Sequence, residues 1–196
     1  ADSLSIEWSL AKHRVLVNSG TSIYGNNKQR LIERKTQSHN TVVVDDSDSS
    51  EVWSGFRVAR RATGKLLQIK NRPGCVKLIA SHDGFLRLKG KVIHLREIEA
   101  QPESLTIIDR LTGYWQKAES IFHLHPQIKI TKVSQLSLEL LLKDNIIVKV
   151  ASSAPMRIEN SHWHPEFGLT LSSKKIIIVF SSAEVRINFL VIGNNT

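Results

Sequence analysis

The stretch from Thr36 to Ala62 carries the side chains best suited to chemistry, in the order TQSHNTVVVDDSDSSEVWSGFRVARRA. His39 stands just before the apolar run Thr41–Val44, which an acidic loop and a basic segment follow. Histidine exchanges protons and binds metals near neutral pH, so His39 is the first candidate for a catalytic group. The alternative is a capping or strand-edge histidine that bonds neighbouring backbone.

Three arginines, Arg57, Arg60 and Arg61, close the same stretch. A strand over Phe56–Ala62 would place Arg57 and Arg61 on one face and Arg60 on the other, because side chains alternate with a period of two. The planar guanidinium fork suits carboxylate and sulfate groups, so these arginines are candidate substrate-binding residues. A solvated strand face, or ion pairs with the Asp45-Asp46 loop, would account for them equally well.

A second group of basic side chains flanks a predicted turn. Asp83-Gly84 is a strong hairpin signal, and His82, Arg87, His94 and Arg96 lie on either side of it. Strands that meet at such a turn can bring these side chains to one groove. We therefore add His82 and Arg96 to the candidate substrate-binding residues.

The elements that must position these residues are predicted to be strands. β-Branched or alternating segments separated by turn residues recur along the chain, giving about fourteen short strands, and no stripe of helical period exceeds two turns. The pattern predicts an all-β fold, an antiparallel β-sandwich or stacked sheets, with a loop and one helical turn over Thr21–Gln37. Among the predicted strands are Phe56–Ala62, Phe85–Leu88, Gly168–Ser172 and Lys175–Ser181, the last two separated by a turn at Ser172-Ser173.

Length and composition favour one globular domain over 1–196. Hydrophobic residues make up 41% and charged residues 23% of the 196, which excludes a disordered or fibrous chain. No apolar run reaches the length of a membrane span, and one cysteine, Cys75, excludes an internal disulfide framework. Ala1 leads directly into an alternating strand without a methionine, so we expect a fragment that lacks an upstream part.

The formal charge of +9 predicts a polyanionic partner. The basic residues are scattered over many segments, and neither an aromatic RNA-binding pair nor zinc-finger spacing is present, which argues against nucleic acid. An acidic polysaccharide suits such a dispersed basic surface. A basic domain without a polyanionic partner is the alternative.

The chain resembles the heparinase II/III-like family, whose C-terminal β-domain is part of a class of polysaccharide lyases. The stretch described first matches the family signature HNTV, VD, EVW, FRV and RA in that order. Further ordered matches are Ala1–Ser5 to the end of HxHADxLSFE, Val17–Thr21 to VDSGT, Ala80–Phe85 to HDGY, Leu105–Gly113 to LxIxDRLxG, Phe122–Pro126 to FHLHP, and Phe167-Gly168 near the end.

The resemblance implies β-elimination at a uronic acid of an acidic polysaccharide. This reaction needs a base beside the carboxylate, a group that neutralises the carboxylate, and an acid for the leaving oxygen. In the family most of these groups come from an N-terminal helical toroid, which this chain lacks, and the HxHAD histidines would precede Ala1. We therefore expect this chain alone to be inactive, with an N-terminal helical domain as its partner and His39 as its own catalytic candidate.

Several family members hold a metal, usually zinc, between a histidine of HxHAD, the aspartate of VDSGT and the histidine of HNTV. Here the second position is Asn18 and the third is His39. An amide oxygen brings no charge to zinc, so we expect no cofactor in this chain, with His39 and Asn18 as metal candidates and zinc as an alternative in the intact protein.

Two functions are consistent with these residues and motifs. The first is the β-sandwich domain of a lyase for uronate-containing glycans such as glycosaminoglycans. The alternative is a carbohydrate-binding or structural module without turnover, which Asn18 and Phe85 favour because both replace groups that the family uses. Family members commonly act in the periplasm or outside the cell, and we expect one of these locations here.

Overall fold

The computed structural model describes residues 1–194, and strands dominate it. One α-helix, Lys28–Arg34 (α1), and short 3-10 turns at Thr36–Ser38 and Lys143–Asn145 accompany them. In this part of the chain no helix is long and apolar enough to cross a membrane. The strands are Trp8–Leu10 (β1), His13–Leu16 (β2), Val42–Val44 (β3), Val52–Trp53 (β4), Arg57–Val58 (β5), Gly64–Arg72 (β6), Cys75–His82 (β7), Ile93–Gln101 (β8), Ser104–Thr112 (β9), Ala118–His123 (β10), Lys129–Thr131 (β11), Ser137–Leu141 (β12), Ile146–Ser152 (β13), Met156–Trp163 (β14), Leu171–Val179 (β15) and Glu184–Asn194 (β16).

Two antiparallel sheets form the body of the structure. The larger has eight strands in the order β11-β12-β13-β16-β9-β8-β7-β6, and the smaller has four in the order β14-β15-β10-β3. Two short hairpins, β1-β2 and β4-β5, complete the set. The predicted all-β sandwich is thereby confirmed.

The core lies between the two sheets because strands of both alternate apolar side chains toward it. Ile107 and Phe189 of the large sheet are completely buried, as are Phe122 and Ile176 of the small sheet. The rings of Phe122 and Phe189 meet edge to face with centroids 6.0 Å apart, which joins the two sheets directly.

Asn40 holds three segments together inside this sandwich. Its side-chain amide donates to the carbonyl oxygens of Ile6 at 2.7 Å and Val17 at 3.1 Å, and its Oδ1 accepts from the backbone N–H of His123 at 2.6 Å. Because Asn40 is fully buried, each of these hydrogen bonds satisfies a polar group away from water. The segment before β1, the residue that follows β2, and β10 are thus fixed beside His39.

Two of the predicted strands and one predicted turn are wrong, for reasons of tertiary pairing. Phe56–Ala62 contains only the two-residue strand β5. Phe85–Leu88 is a series of turns in which the Leu86 N–H donates to the Asp83 carbonyl at 2.8 Å. The predicted turn at Ser172-Ser173 is also wrong, since both serines pair with β14 in the ladder and β15 runs unbroken.

Candidate functional site

His39 lines a cleft of about 310 Å³ where four segments meet. These are the N-terminal residues, the loop after β2, helix α1 and the turn before β3. The lining residues are Ala1, Asp2, Asn18, Gly20, Thr21, Arg30, Glu33, Arg34 and His39. Most of these residues have polar or charged side chains, which can bind a hydrophilic ligand.

Helix α1 supplies two arginines to this cleft. It begins because the Asn27 side chain caps it, accepting from the Arg30 N–H at 2.8 Å. Arg30 and Arg34 are four residues apart and therefore share one face. Arg30 donates to Thr21 Oγ1 at 3.1 Å, and Arg34 donates to the Ser54 carbonyl at 2.6 Å. Both guanidinium groups are thus held in place beside His39.

The side chain of His39 is neutral and has one open nitrogen. Its Nδ1 lies 3.4 Å from Asn18 Oδ1, an acceptor, so the ring proton sits on Nδ1. The amide of Asn18 is oriented by Ser5, whose hydroxyl donates to Oδ1 at 2.9 Å. Within residues 1–194 Nε2 has no hydrogen-bond partner. Burial is the main cause that lowers the pKa of His39 to about 4, so Nε2 is available as a proton acceptor at neutral pH.

Glu33 is the buried carboxylate that fixes the wall of the cleft. Its Oε1 accepts from the Ser22 N–H at 3.1 Å and from Gln29 Nε2 at 3.1 Å, and it also bonds the Ser22 hydroxyl. His164, at the end of β14, lies 3.7 Å from the same oxygen. Glu33 therefore ties α1 to the loop after β2 and to the small sheet.

The three arginines after β4 are all exposed, but they have different partners. Arg57 lies over the ring of Trp53, 4.8 Å from its centroid. Arg60 makes two hydrogen bonds to Glu51, at 2.6 and 2.7 Å, and none to the Asp45-Asp46 loop. Because its guanidinium is already paired with a carboxylate, Arg60 is less available to a ligand than Arg57 or Arg61.

The prediction that Arg96 and His82 line a substrate groove is wrong. Their exposed fractions are 0% and 1%, so a polymer in solvent cannot reach them. Arg96 pairs through two hydrogen bonds with Asp109 on the neighbouring strand, at 2.7 and 2.9 Å. It also donates to the carbonyl oxygens of Leu4 and Asn40. The basic groups beside the Asp83-Gly84 turn thus belong to the interior.

His82 belongs to a chain of hydrogen bonds that ends on the same carboxylate. The Gly84 N–H donates to His82 Nδ1 at 3.1 Å, the second ring nitrogen of His82 contacts His94 Nδ1 at 3.1 Å, and His94 Nε2 contacts Asp109 at 2.7 Å. This order is satisfied when both rings are neutral, each with its proton on Nε2. Burial is the main cause that lowers the pKa of both histidines, that of His82 to about 3.

Asp109 remains ionised at the centre of this network. Burial alone would raise its pKa, but the charge and hydrogen bonds of Arg96, with those of His94, hold the pKa well below its usual range. The Ser120 hydroxyl donates to its second oxygen at 2.7 Å. The buried charge is therefore fully paired, as a buried ion pair must be to avoid a large desolvation cost.

The family model for the heparinase II/III-like C-terminal domain matches residues 1–189. The chain belongs to the heparinase II/III-like family. A comparison with curated protein sequences gives no match. Among solved structures, the heparan sulfate lyase HepC from Pedobacter heparinus is similar over 100% of this chain, with a TM-score of 0.80 at 12% identity. A heparinase III structure is similar over 100% of the chain, with a TM-score of 0.78 at 14% identity.

These structural likenesses concern the fold, since the sequence identities are low. The chain spans 31% of the HepC chain and 30% of the heparinase III chain. The matched part is thus a minor portion of each of these proteins. The resemblance of this sequence to the heparinase II/III-like family is confirmed.

The zinc that some heparinase II/III-like proteins hold does not fit the residues present here. His39 offers one nitrogen, and its neighbour Asn18 offers an uncharged amide oxygen that already accepts from Ser5. Within residues 1–194 no group of three histidine, cysteine or acidic side chains is arranged to hold a metal ion.

Sequence reasoning did not select Arg30, Arg34 or Glu33, because it assigned their segment to a loop with one helical turn. The helix has seven residues instead. A signal was present in the Asn27 cap and in the spacing of four between the two arginines.

Replacing Arg96 by methionine is expected to destabilise the protein by about 3–5 kcal/mol, because the buried, charged Asp109 loses its cationic partner. Urea unfolding of this family member measures the change. The matched control is Arg110→Met, one residue beyond Asp109, whose pairs with Glu97 and Glu184 are partly exposed and contribute roughly 0–1 kcal/mol. Equal losses in the two variants would contradict the central role of the buried pair.

Stability is expected to fall as the pH drops from 6.5 toward 4. Unfolded histidines take up protons near 6.5, whereas His82 and His123 do so near 3 and 4 in the folded state, mainly because they are buried. Their stabilising contribution is full above the unfolded pKa and is lost toward the folded values, by up to about 1.4 kcal/mol per pH unit for each ring. Urea midpoints across this range test it, and His123→Gln should flatten the slope. An unchanged midpoint would show that the rings accept protons in the folded state as readily as in the unfolded state.

Proposed function

We propose that this chain forms one wall of the glycan cleft of a polysaccharide lyase that cleaves uronate-containing glycans by β-elimination. The observation that carries the proposal is the neutral His39 in a cleft that also holds two arginines, in a chain of the heparinase II/III-like family. The solved proteins of similar fold include one described as a heparan sulfate lyase, which supports a glycosaminoglycan as the substrate class.

The reaction assigns different tasks to these side chains. A base takes the proton from the carbon beside the uronate carboxylate, the electron pair forms the new carbon–carbon double bond, and the bond to the leaving oxygen breaks. The carboxylate must be neutralised while negative charge develops. In this proposal Arg30 and Arg34 bind the carboxylate, because arginine forks match its geometry, and Nε2 of His39 is the proton acceptor.

The remaining groups are proposed to come from another part of a longer protein. The structures of similar fold are about three times as long as this chain, and an N-terminal helical domain that completes the cleft is our proposal for the additional part. The exposed side of the His39 cleft is where such a domain would contribute an acid for the leaving oxygen. A periplasmic or extracellular location follows from the same proposal, since acidic polysaccharides are found there.

A non-catalytic carbohydrate-binding module is the second candidate. Asn18 favours it, because it stands where the family pattern has an aspartate. Phe85 no longer bears on the choice, since its side chain is completely buried in the core, in contact with the ring of His82. The two candidates differ in turnover, which can be measured directly.

The longest native form of the protein is expected to release unsaturated uronate, detected by its absorbance, from at least one of heparan sulfate, hyaluronan, alginate and bacterial capsule. Its His39→Ala variant should lose turnover by a factor of about 100 or more, since a positioned base contributes that much. The control is His13→Ala, whose ring is bonded to Asp144 outside the cleft. Full activity of His39→Ala would exclude His39 as the base, and no activity of the native form on any glycan would favour the binding module.

Replacing Arg57 and Arg61 together by glutamine is expected to weaken retention of this chain on immobilised heparan sulfate. Retention should also depend less steeply on salt, because two exposed cationic contacts are removed. Elution at graded salt concentrations gives both quantities. Lys129→Gln with Lys149→Gln is the matched control, since both are exposed strand lysines far along the large sheet. An equal loss in both pairs would indicate non-specific attraction by net charge.

A further inference from the structure

Three aromatic side chains form an exposed cluster beside the His39 cleft. Tyr24, Phe56 and Phe167, which we call the aromatic patch, are 60%, 69% and 63% exposed. The ring of Tyr24 is stacked between the other two, with centroids 6.4 Å from Phe56 and 5.3 Å from Phe167. Contiguous apolar groups of this kind on a protein surface usually mark a binding site.

The patch is held by three loops that contact one another. Gly55 packs so closely on Gly25 that a Cβ atom at Gly55 would overlap the Gly25 carbonyl oxygen. On the other side the Gly168 N–H donates to the Ser22 carbonyl at 2.8 Å. The backbones that carry the three rings are therefore fixed relative to each other before any ligand binds, which lowers the entropic cost of binding.

Arginines join the patch to the cleft. Arg30 lines the cleft and lies over the Tyr24 ring, 5.7 Å from its centroid. Arg34 also lines the cleft and bonds the Ser54 carbonyl, two residues before Phe56. Arg57 directly follows Phe56, and the acidic neighbour in sequence is Glu166, before Phe167. The surface thus combines aromatic rings with the guanidinium groups of three arginines, of which Arg30 also lies 3.8 Å from the Glu33 carboxylate.

We propose that the aromatic patch is a second sugar-binding surface, on which an acidic polysaccharide continues after it leaves the His39 cleft. The apolar C–H faces of pyranose rings contact the aromatic side chains, and the arginines bind carboxylate or sulfate groups of the same chain. The identity of the ligand as an acidic glycan rests on the proposed function. A second copy of this protein fits less well, because it would bring arginine-rich surfaces of a +9 molecule together.

The test is retention of the full chain on immobilised heparan sulfate across a salt series. Phe56→Ala combined with Phe167→Ala is expected to lower the affinity by about tenfold, because central aromatic groups of an interface each contribute strongly. The dependence on salt should stay unchanged, since no charge is removed. Both side chains are exposed, so the fold is not at risk. Tyr114→Ala is the matched control, because Tyr114 is 70% exposed and outside the patch.

Retention of the double variant equal to that of the unmodified protein would overturn the inference. Sedimentation of both proteins then distinguishes two explanations. Self-association that the substitutions abolish would assign the patch to a second copy of the protein. If neither protein self-associates, electrostatic contacts alone account for retention on the glycan. The proposed function is measured separately through unsaturated uronate. If the double variant loses retention but the longest native form shows no turnover, the aromatic patch is supported and the lyase is contradicted. If the native form shows turnover but the double variant keeps its retention, only the aromatic patch is contradicted.

Discussion

The ion pair between Arg96 and Asp109 is the interaction on which the rest of this structure depends. The two residues face each other on adjacent strands, and the guanidinium that neutralises the carboxylate also bonds the carbonyl oxygens of Leu4 and Asn40. One buried charge therefore holds the large sheet, the N-terminal segment and the turn before β3 in register. Removing either partner would leave an uncompensated charge in the core, which explains why the whole network is satisfied so completely.

The consequence for the candidate site is that His39 rests on a rigid support. The side chain of its neighbour Asn40 is hydrogen-bonded through both its amide nitrogen and its oxygen. The ring of His39 lines the cleft, with its Nδ1 bonded to Asn18. A site with a fixed support can present a neutral base next to two cationic groups, Arg30 and Arg34, without a rearrangement on binding. This combination suits a reaction that withdraws a proton beside a carboxylate.

The surface around the cleft fits a long ligand better than a small one. The aromatic patch lies beside it on exposed loops, and those loops are fixed to one another by close backbone contacts. A polysaccharide gains affinity from many such contacts, each of modest strength. The chain covers 31% of the HepC chain and 30% of the heparinase III chain, so each of these solved structures has further parts beyond the fold described here.

The sequence by itself determined the fold class and the family, because alternating strands and ordered motifs are local patterns that can be recognised in the sequence alone. It also identified His39 at a turn before a buried strand. Tertiary structure alone decided that His82 and Arg96 are interior groups, since burial depends on which sheet covers a strand face. It likewise decided that Arg30 and Arg34 of a short helix reach the cleft, because segments far apart in sequence meet there. Local periodicity contains no information about such long-range packing, so these assignments required the folded chain.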